Sequence, residues 1–492
     1  MPQRPKIIAT IYFGFIFSVL QSQNVQTLYF MNIPQNHLMN PALRSTNSTY
    51  VGLPVFSGMY VGVNNNFINF SDIFSKEDDS GYTIFSSEAV IDRFAGNLNK
   101  KNSINSQFSI PLVSVGFKGK NSLYYFIDIN ERIESNSVLP GDLIKLMLKG
   151  NGAFVGDKAD FSSARMNFRY YHELGFTVSK NVSNNLRLGI RPKILVGVFS
   201  SSARNKSLSL SINNDYTHTL EADVTANFSG PFIVNVNADN KFESIKFDDN
   251  WFNSRRLTDI RNFGFALDMG AEYTLINNKI KLSAALTDLG FIKWNRNATN
   301  LSIDGLFVFD GIEISEEVYG DKIFEKNVGD LVGSFQDSIN FTKTERSFTT
   351  ALSSGLTVGG SYNLNKNISF GLLSYTRFIG KQAQEALTLS ANLNLPNAPL
   401  SFSLAYSLQN RRADNFGAGL AFRLGFVQLY AVSDRIPVTF YKLTNNDSKA
   451  MIPANWNTVN LRFGLNLTFG NKPKVKSKTK IKTPEEEETI AI

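Results

Sequence analysis

The chain has 492 residues, a formal net charge of +8 and no cysteine. The missing cysteines exclude disulfides, a thiol nucleophile, thiolate metal sites and the lipid-modified cysteine of a lipoprotein. The charge is spread along the chain instead of gathered in a stripe, so it supports no nucleic-acid partner, and 41 Phe and 17 Tyr against three Trp suit the apolar bands and girdles of a membrane barrel.

Arg4 and Lys6, the apolar run 7–20 and the small Ser22 have the layout of a secretory signal peptide, expected to occupy residues 1–22. The run is too short for a comfortable transmembrane helix, and no second stretch of about 18 apolar residues follows it. A membrane protein without such helices must be a closed barrel. Residues 23–49, with Met31, Pro34, His37 and the tripeptide Asn40-Pro41-Ala42, read as irregular structure on the periplasmic side or in the lumen.

The first strand is expected at 50–64, where Pro54 implies a bend or an unpaired position. Residues 65–105 are mixed, with short helices expected at 72–74 and 88–98 that plug the lumen or lie at its mouth. Hairpins follow at 107–117 with 123–129, at 170–180 with 186–199, and at 263–275 with 280–286, where Asn277-Asn278 can take positive φ. The connection 134–168 carries a helix at 142–148. Within 200–262, segments 208–212 and 220–228 read as an extramembrane extension of the sheet. After a polar excursion at 290–350, strands are expected at 352–364, 368–378, 387–395, 400–408, 416–424 and 427–435.

The last strand has the clearest pattern. Val459, Leu461, Phe463, Leu465, Leu467 and Phe469 alternate without fault with polar or small residues, so one face is apolar and the other wet. Its length matches the roughly 9 to 11 residues of a membrane-spanning strand. Arginine at Leu465 is therefore expected to be costly and arginine at Asn466 tolerated. The remaining residues, 470–492, turn basic and then acidic and read as a disordered periplasmic tail.

These elements define an all-β fold, an antiparallel transmembrane β-barrel of about fourteen strands over 50–469, with an N-terminal segment available as a plug. If the last strand runs toward the periplasm, every tight turn falls on the periplasmic side and every long connection outside.

Alternation directs Glu173, Arg187, Arg191, Lys193, Asp268 and Glu272 into the lumen from three consecutive strands, with Arg377, Arg423 and Arg462 elsewhere around the ring. Charges on the lipid side would cost several kcal/mol, which forces them inward. They either hold strands in register as salt bridges or line a polar passage or ligand seat. The three histidines, His37, His172 and His218, fit no metal spacing, and neither a catalytic serine nor a phosphate-cradling loop stands out. No enzyme activity and no cofactor are expected. Gly359-Gly360, Gly417, Gly419 and Gly464 read as kinks or close strand packing.

Asn40-Pro41-Ala42, Gly52-Leu53-Pro54, Thr287-Asp288-Leu289-Gly290-Phe291 and the closing Arg462-Phe463-Gly464-Leu465-Asn466 with Phe469-Gly470 resemble an uncharacterised family of Bacteroidota outer-membrane barrels. More distantly they resemble FadL-like barrels, which include fatty-acid transporters and the PorV shuttle protein of type IX secretion. The resemblance implies fourteen strands in the outer membrane of a Gram-negative bacterium, with N-terminal residues folded into or under the lumen. It carries two functional expectations. One is transport or binding of hydrophobic or amphipathic small molecules. The other is a scaffold whose long outer loops hold a secretion-system protein. Outer-membrane lipid is a partner in both.

Overall fold

A computed structural model describes residues 26–470 except 70–73, 77–80, 84–87, 238–241, 249–250, 252–259, 277–278, 310–337, 381, 396–399, 410–411, 446–447 and 454–456. The expected signal peptide and charged tail lie outside the described residues.

Fourteen antiparallel strands form one closed barrel: β1 Thr49–Asn65, β2 Lys101–Lys118, β3 Leu123–Pro140, β4 Arg165–Asn181, β5 Leu186–Ile212, β6 Phe263–Leu275, β7 Ile280–Trp294, β8 Gly355–Asn363, β9 Ile368–Ile379, β10 Gln382–Asn394, β11 Leu400–Gln409, β12 Arg412–Leu424, β13 Val427–Ser433 and β14 Thr458–Phe469. Neighbours in sequence pair throughout, and β14 returns to β1 from Thr49↔Phe469 to Asn64↔Thr458. Closure leaves no free strand edge in hydrocarbon, apart from one local gap in the pairing of β1 with β2.

The hydrophobic pattern is inside out, as a membrane barrel requires. On β14, Asn460, Arg462, Asn466 and Thr468 are buried inward while Leu461 and Phe469 are exposed. On β4 and β5, Leu174, Phe176, Leu188, Ile190 and Ile194 are exposed outward. The apolar side chains that a soluble fold would pack together face the lipid instead.

Six connections of two to five residues join strands at one end, where the sequence reading put the tight turns. The opposite end is uneven. Its connections after β9 and β11 are also two residues long, so β10 starts at Gln382, five residues before the expected 387, and Gly380, at φ 59°, supplies the backbone angle such a turn needs. Elsewhere the wall rises high. The upper half of β5 continues into a sheet with His218–Ser229, Ala298–Phe309 and Ile339–Thr344, the extension expected at 208–212 and 220–228.

Among the described residues two α-helices sit at this long-loop end, α1 Glu88–Gly96 and α2 Gly141–Lys149, tied by Lys149 to Asp92 at 2.6 Å. Helix α1 therefore lies at the mouth and does not plug the lumen. Of the helix expected at 72–74, residues 72–73 lie outside the described residues, and Phe74 begins the short strand Phe74–Lys76, paired with Gly81–Thr83.

The lumen is filled by the N-terminal segment. Ser48 pairs with Phe469 at the short-turn end, and from there back to Gln26 the chain runs up inside the barrel through two 3-10 turns, Gln26–Phe30 and Pro34–Leu38. Leu28, Met31, Ile33, His37, Asn40 and Ala42 are all at most 2% exposed. Its polar groups are met by the wall, as buried polar groups must be. Asp434 accepts from the backbone N–H groups of Gln26 and Thr27 at 2.5 and 2.8 Å, Gln35 donates to Ser57 and Asn466, and Ser179 donates to the Ala42 carbonyl.

The wall makes room for this segment with glycine. A Cβ at Gly189 would stand 2.1 Å from the Pro41 backbone, one at Gly270 2.0 Å from the Asn40 side chain, and one at Gly419 2.3 Å from the Met31 sulfur. Gly417 and Gly419, expected to mark kinks or strand packing, leave space for Thr27 and Met31.

Candidate functional site

Beside the lumen segment the inward charges of β3 to β7 form one connected lattice. Glu173, fully buried, accepts from Arg191 at 2.9 Å and from Asn130 at 3.2 Å. Arg191 also reaches Asp268 at 3.3 Å, and Lys193 lies 2.7 Å from Asp268 and 2.5 Å from Asp288. Arg132 links Glu173, Glu134 and Asp288. Glu134 then pairs with Arg169 at 2.9 Å and with Arg377 of β9, nearly opposite in the ring, at 3.7 Å. Arg169 donates to the Ala351 carbonyl and to Ser353. The lattice thus spans the lumen as a crossbar. Charges withdrawn this far from water persist because each meets an opposite charge.

The residues expected from alternation divide among four places. Glu173, Arg191, Lys193 and Asp268 meet in the lattice. Arg187 and Glu272 form a separate pair at 3.0 Å nearer the short turns. Arg462 stands apart on β14, over the Tyr60 ring at 4.9 Å and donating to the Gly58 carbonyl at 3.2 Å. Arg423 reaches Asn47 of the lumen segment.

The sequence reading missed Asp288, Arg132, Glu134, Arg169 and Asp128. Asp288 carried a usable signal: strict alternation along β7 from Ile280 to Leu286 would aim it at lipid, where a carboxylate does not belong. The register instead shifts between Leu267/Leu289 and Met269/Leu286. This bulge, with Asp288 at φ 57°, turns Asp288 inward and sends Leu289 and Phe291 outward, each 50% exposed. The Thr287-Asp288-Leu289-Gly290-Phe291 motif is the bulge itself.

A polar cavity of about 40 Å3 lies at the centre, lined by Met39, Tyr60, Ser109, Arg132, Arg377 and Arg462 among others. It holds a few water molecules at most. A larger hollow of about 360 Å3 opens beside the lumen segment toward the short turns, bounded by Phe30, Arg44, Glu272, Lys281 and Ser361. Among the described residues no group of three or more His, Cys, Asp or Glu side chains is placed to hold a metal ion. His172 meets Glu131 of β3 at 2.8 Å, not its neighbour Glu173, which faces the other way.

The wall itself is interrupted between β1 and β2. They pair from Thr49 to Gly52 and again from Tyr60 to Asn65, so residues 53–59 and 110–113 have no partner across that seam. Each side contains a proline, Pro54 and Pro111, which cannot donate to a ladder. Val55 takes φ 67° and Gly58 φ 101°, the signature of a large bulge. Outside, Val55, Phe56, Leu112 and Val113 are exposed at 37, 58, 37 and 37%. Inside, Gln35 and Arg462 hold Ser57 and Gly58.

Fold and lumen together define a closed fourteen-stranded transmembrane β-barrel whose own N-terminal segment fills the channel. Residues 41–434 match the profile described as "Family of unknown function (DUF5723)", and the chain belongs to that family. No curated protein matches it. Among solved structures it is similar to a FadL homologue of Pseudomonas aeruginosa, at 10% identity and a TM-score of 0.42, covering 92% of this chain and 100% of that one. It is also similar to the Pseudomonas putida toluene transporter TodX, at 8% identity and a TM-score of 0.35, covering 91% of this chain and 96% of that one.

Proposed function

We propose that this protein resides in the outer membrane of a Gram-negative bacterium, short turns in the periplasm, and passes hydrophobic or amphipathic small molecules through the side of its wall. The observation that carries the reading is the interruption between β1 and β2, where an apolar rim outside adjoins the central cavity inside. A straight path along the axis is closed twice, by the lumen segment and by the charge crossbar. An apolar molecule enters the seam from the membrane, and the cavity beyond it, about 40 Å3 and lined by Arg132, Arg191, Lys193 and Arg377 of the lattice, must widen to pass it. The closed lumen also favours a second reading, a scaffold barrel with no transported ligand.

The absence of cysteine makes a clean test available. Val55→Cys with Leu112→Cys places one thiol on each side of the seam, to be strapped by a bis-maleimide in intact cells. Uptake of radiolabelled toluene and oleate is then measured with and without the strap. The proposal expects uptake above that of cells lacking the barrel, and its loss on strapping. Uptake no greater than in cells lacking the barrel supports the scaffold. Uptake that survives strapping overturns the lateral route.

A further inference from the structure

We propose that the outer surface of β4 to β8 carries a binding site for one phospholipid of the periplasmic leaflet. A hollow of about 710 Å3, almost wholly apolar, indents the lipid-facing wall there. That lies within the roughly 300 to 1,000 Å3 of pockets that hold drug-sized ligands. Its floor is set by register: Ala271 of β6 pairs with Ala284 of β7, and both lie on the outward row that runs from Leu188 to Val358. The next outward row is large, with Ile190, Met269 and Leu356 exposed at 46, 41 and 38%. The hollow is therefore a pair of alanines sunk in a belt of long side chains.

The lumen segment does not account for those alanines. It demands glycine at 189 and 270, whose Cβ atoms would strike Pro41 and Asn40 from inside. Ala271 and Ala284 point the other way, toward lipid, beside the longer Leu188, Ile190, Met269 and Leu356.

The rim identifies its chemistry. Lys180 lines the hollow on the outward face of β4, one residue before that strand ends at a short turn. Its outward position one residue from the turn sets its ammonium at the level of the interface, where a lysine attracts anionic lipid groups. A cation at the headgroup level above an apolar trough in the hydrocarbon fits a phosphodiester carrying acyl chains. Lipid in this position also braces from outside the stretch of wall that is thinned by glycine for the lumen segment.

The site is read by native mass spectrometry of the full-length barrel released from nanodiscs of phosphatidylethanolamine and phosphatidylglycerol. One phospholipid is expected to remain per wild-type barrel. Filling the hollow with Ala271→Leu and Ala284→Leu should abolish the adduct. Lys180→Gln should lower its retention at least threefold, while Lys366→Gln on the lumen side should leave it unchanged. Heat-shifted gel mobility confirms that each variant is folded, and the filling changes exchange one apolar lipid-facing side chain for another. A wild-type barrel without lipid, equal retention after filling, or a wild-type dimer that filling dissolves would each overturn the proposal. The outcome is independent of the uptake experiment above.

Discussion

The Nε2 atom of His37 lies 2.8 Å from the Asp128 carboxylate, while Nδ1 of the same ring lies 2.7 Å from the Pro34 carbonyl. Both ring nitrogens face acceptors, and the ring stacks on Phe126 at 4.0 Å. Asp128 belongs to the wall and also accepts from Ser114, so this contact fastens the lumen segment to the edge of the charge lattice, 3.7 Å from Arg191. His37→Ala removes the fastening and leaves a buried carboxylate short of a partner, at a cost of about 1–3 kcal/mol. Ala42→Cys added to this variant should label with maleimide faster than in the wild-type barrel, while conductance stays low because the charge crossbar still closes the axis. Unchanged labelling would mean that the remaining anchors hold the segment alone.

Gly270 tests the seating of the segment from the other side. A Cβ there meets the Asn40 side chain at 2.0 Å, and Asn40 also caps the Ala42 backbone N–H at 2.9 Å. Gly270→Val should lift residues 39–43 from the wall. With no native cysteine, Ala42→Cys reports this directly: fully buried in the intact barrel, it should label with maleimide several-fold faster when Gly270→Val is added.

Arg191 is 1% exposed and serves Glu173, Asp268 and, more distantly, Asp128. Arg191→Met leaves their charges under-compensated, and breaking a buried pair from one side costs about 3–5 kcal/mol. Glu173→Gln in the same protein should recover part of that loss, because it removes a carboxylate left short of charge while Lys193 keeps Asp268 and Asp288 and Arg132 keeps Glu134 and Asp288. Urea unfolding in lipid vesicles, followed by tryptophan fluorescence, measures both. A double variant no more stable than Arg191→Met would contradict the assignment.

Lipid-facing and lumen-facing positions differ in what they tolerate, with one correction to the expectation from alternation. Leu465→Arg should cost about 2–4 kcal/mol at the membrane midplane. Asn466→Arg is not the harmless counterpart, because Asn466 is fully buried and bonded to Gln35, Ser57 and Gln428; it should expel the segment. The tolerated counterpart is Ser361→Arg, which points into the open hollow near the short turns. Unfolding midpoints of the three variants separate these cases.

Alternation alone determined the barrel, because a strand in this setting has only two faces and every charge must choose the wet one. Val459 to Phe469 shows it, as do Glu173, Arg191, Lys193 and Asp268, whose inward orientation follows from parity. Parity breaks where the backbone inserts residues, and there the tertiary structure decided. The bulge at Asp288 moved a carboxylate from the lipid side into the lattice, and the bulge beside Pro54 opened the seam between β1 and β2. Which segment fills the lumen was likewise invisible locally. Residues 26–48 have no period, and their place is set by wall glycines at 189, 270 and 419, distant in sequence, that leave space for the Pro41 backbone and the Asn40 and Met31 side chains. A side-chain pattern records which face a residue takes, whereas seams, lattices and plugs depend on which strands the closed ring brings opposite one another.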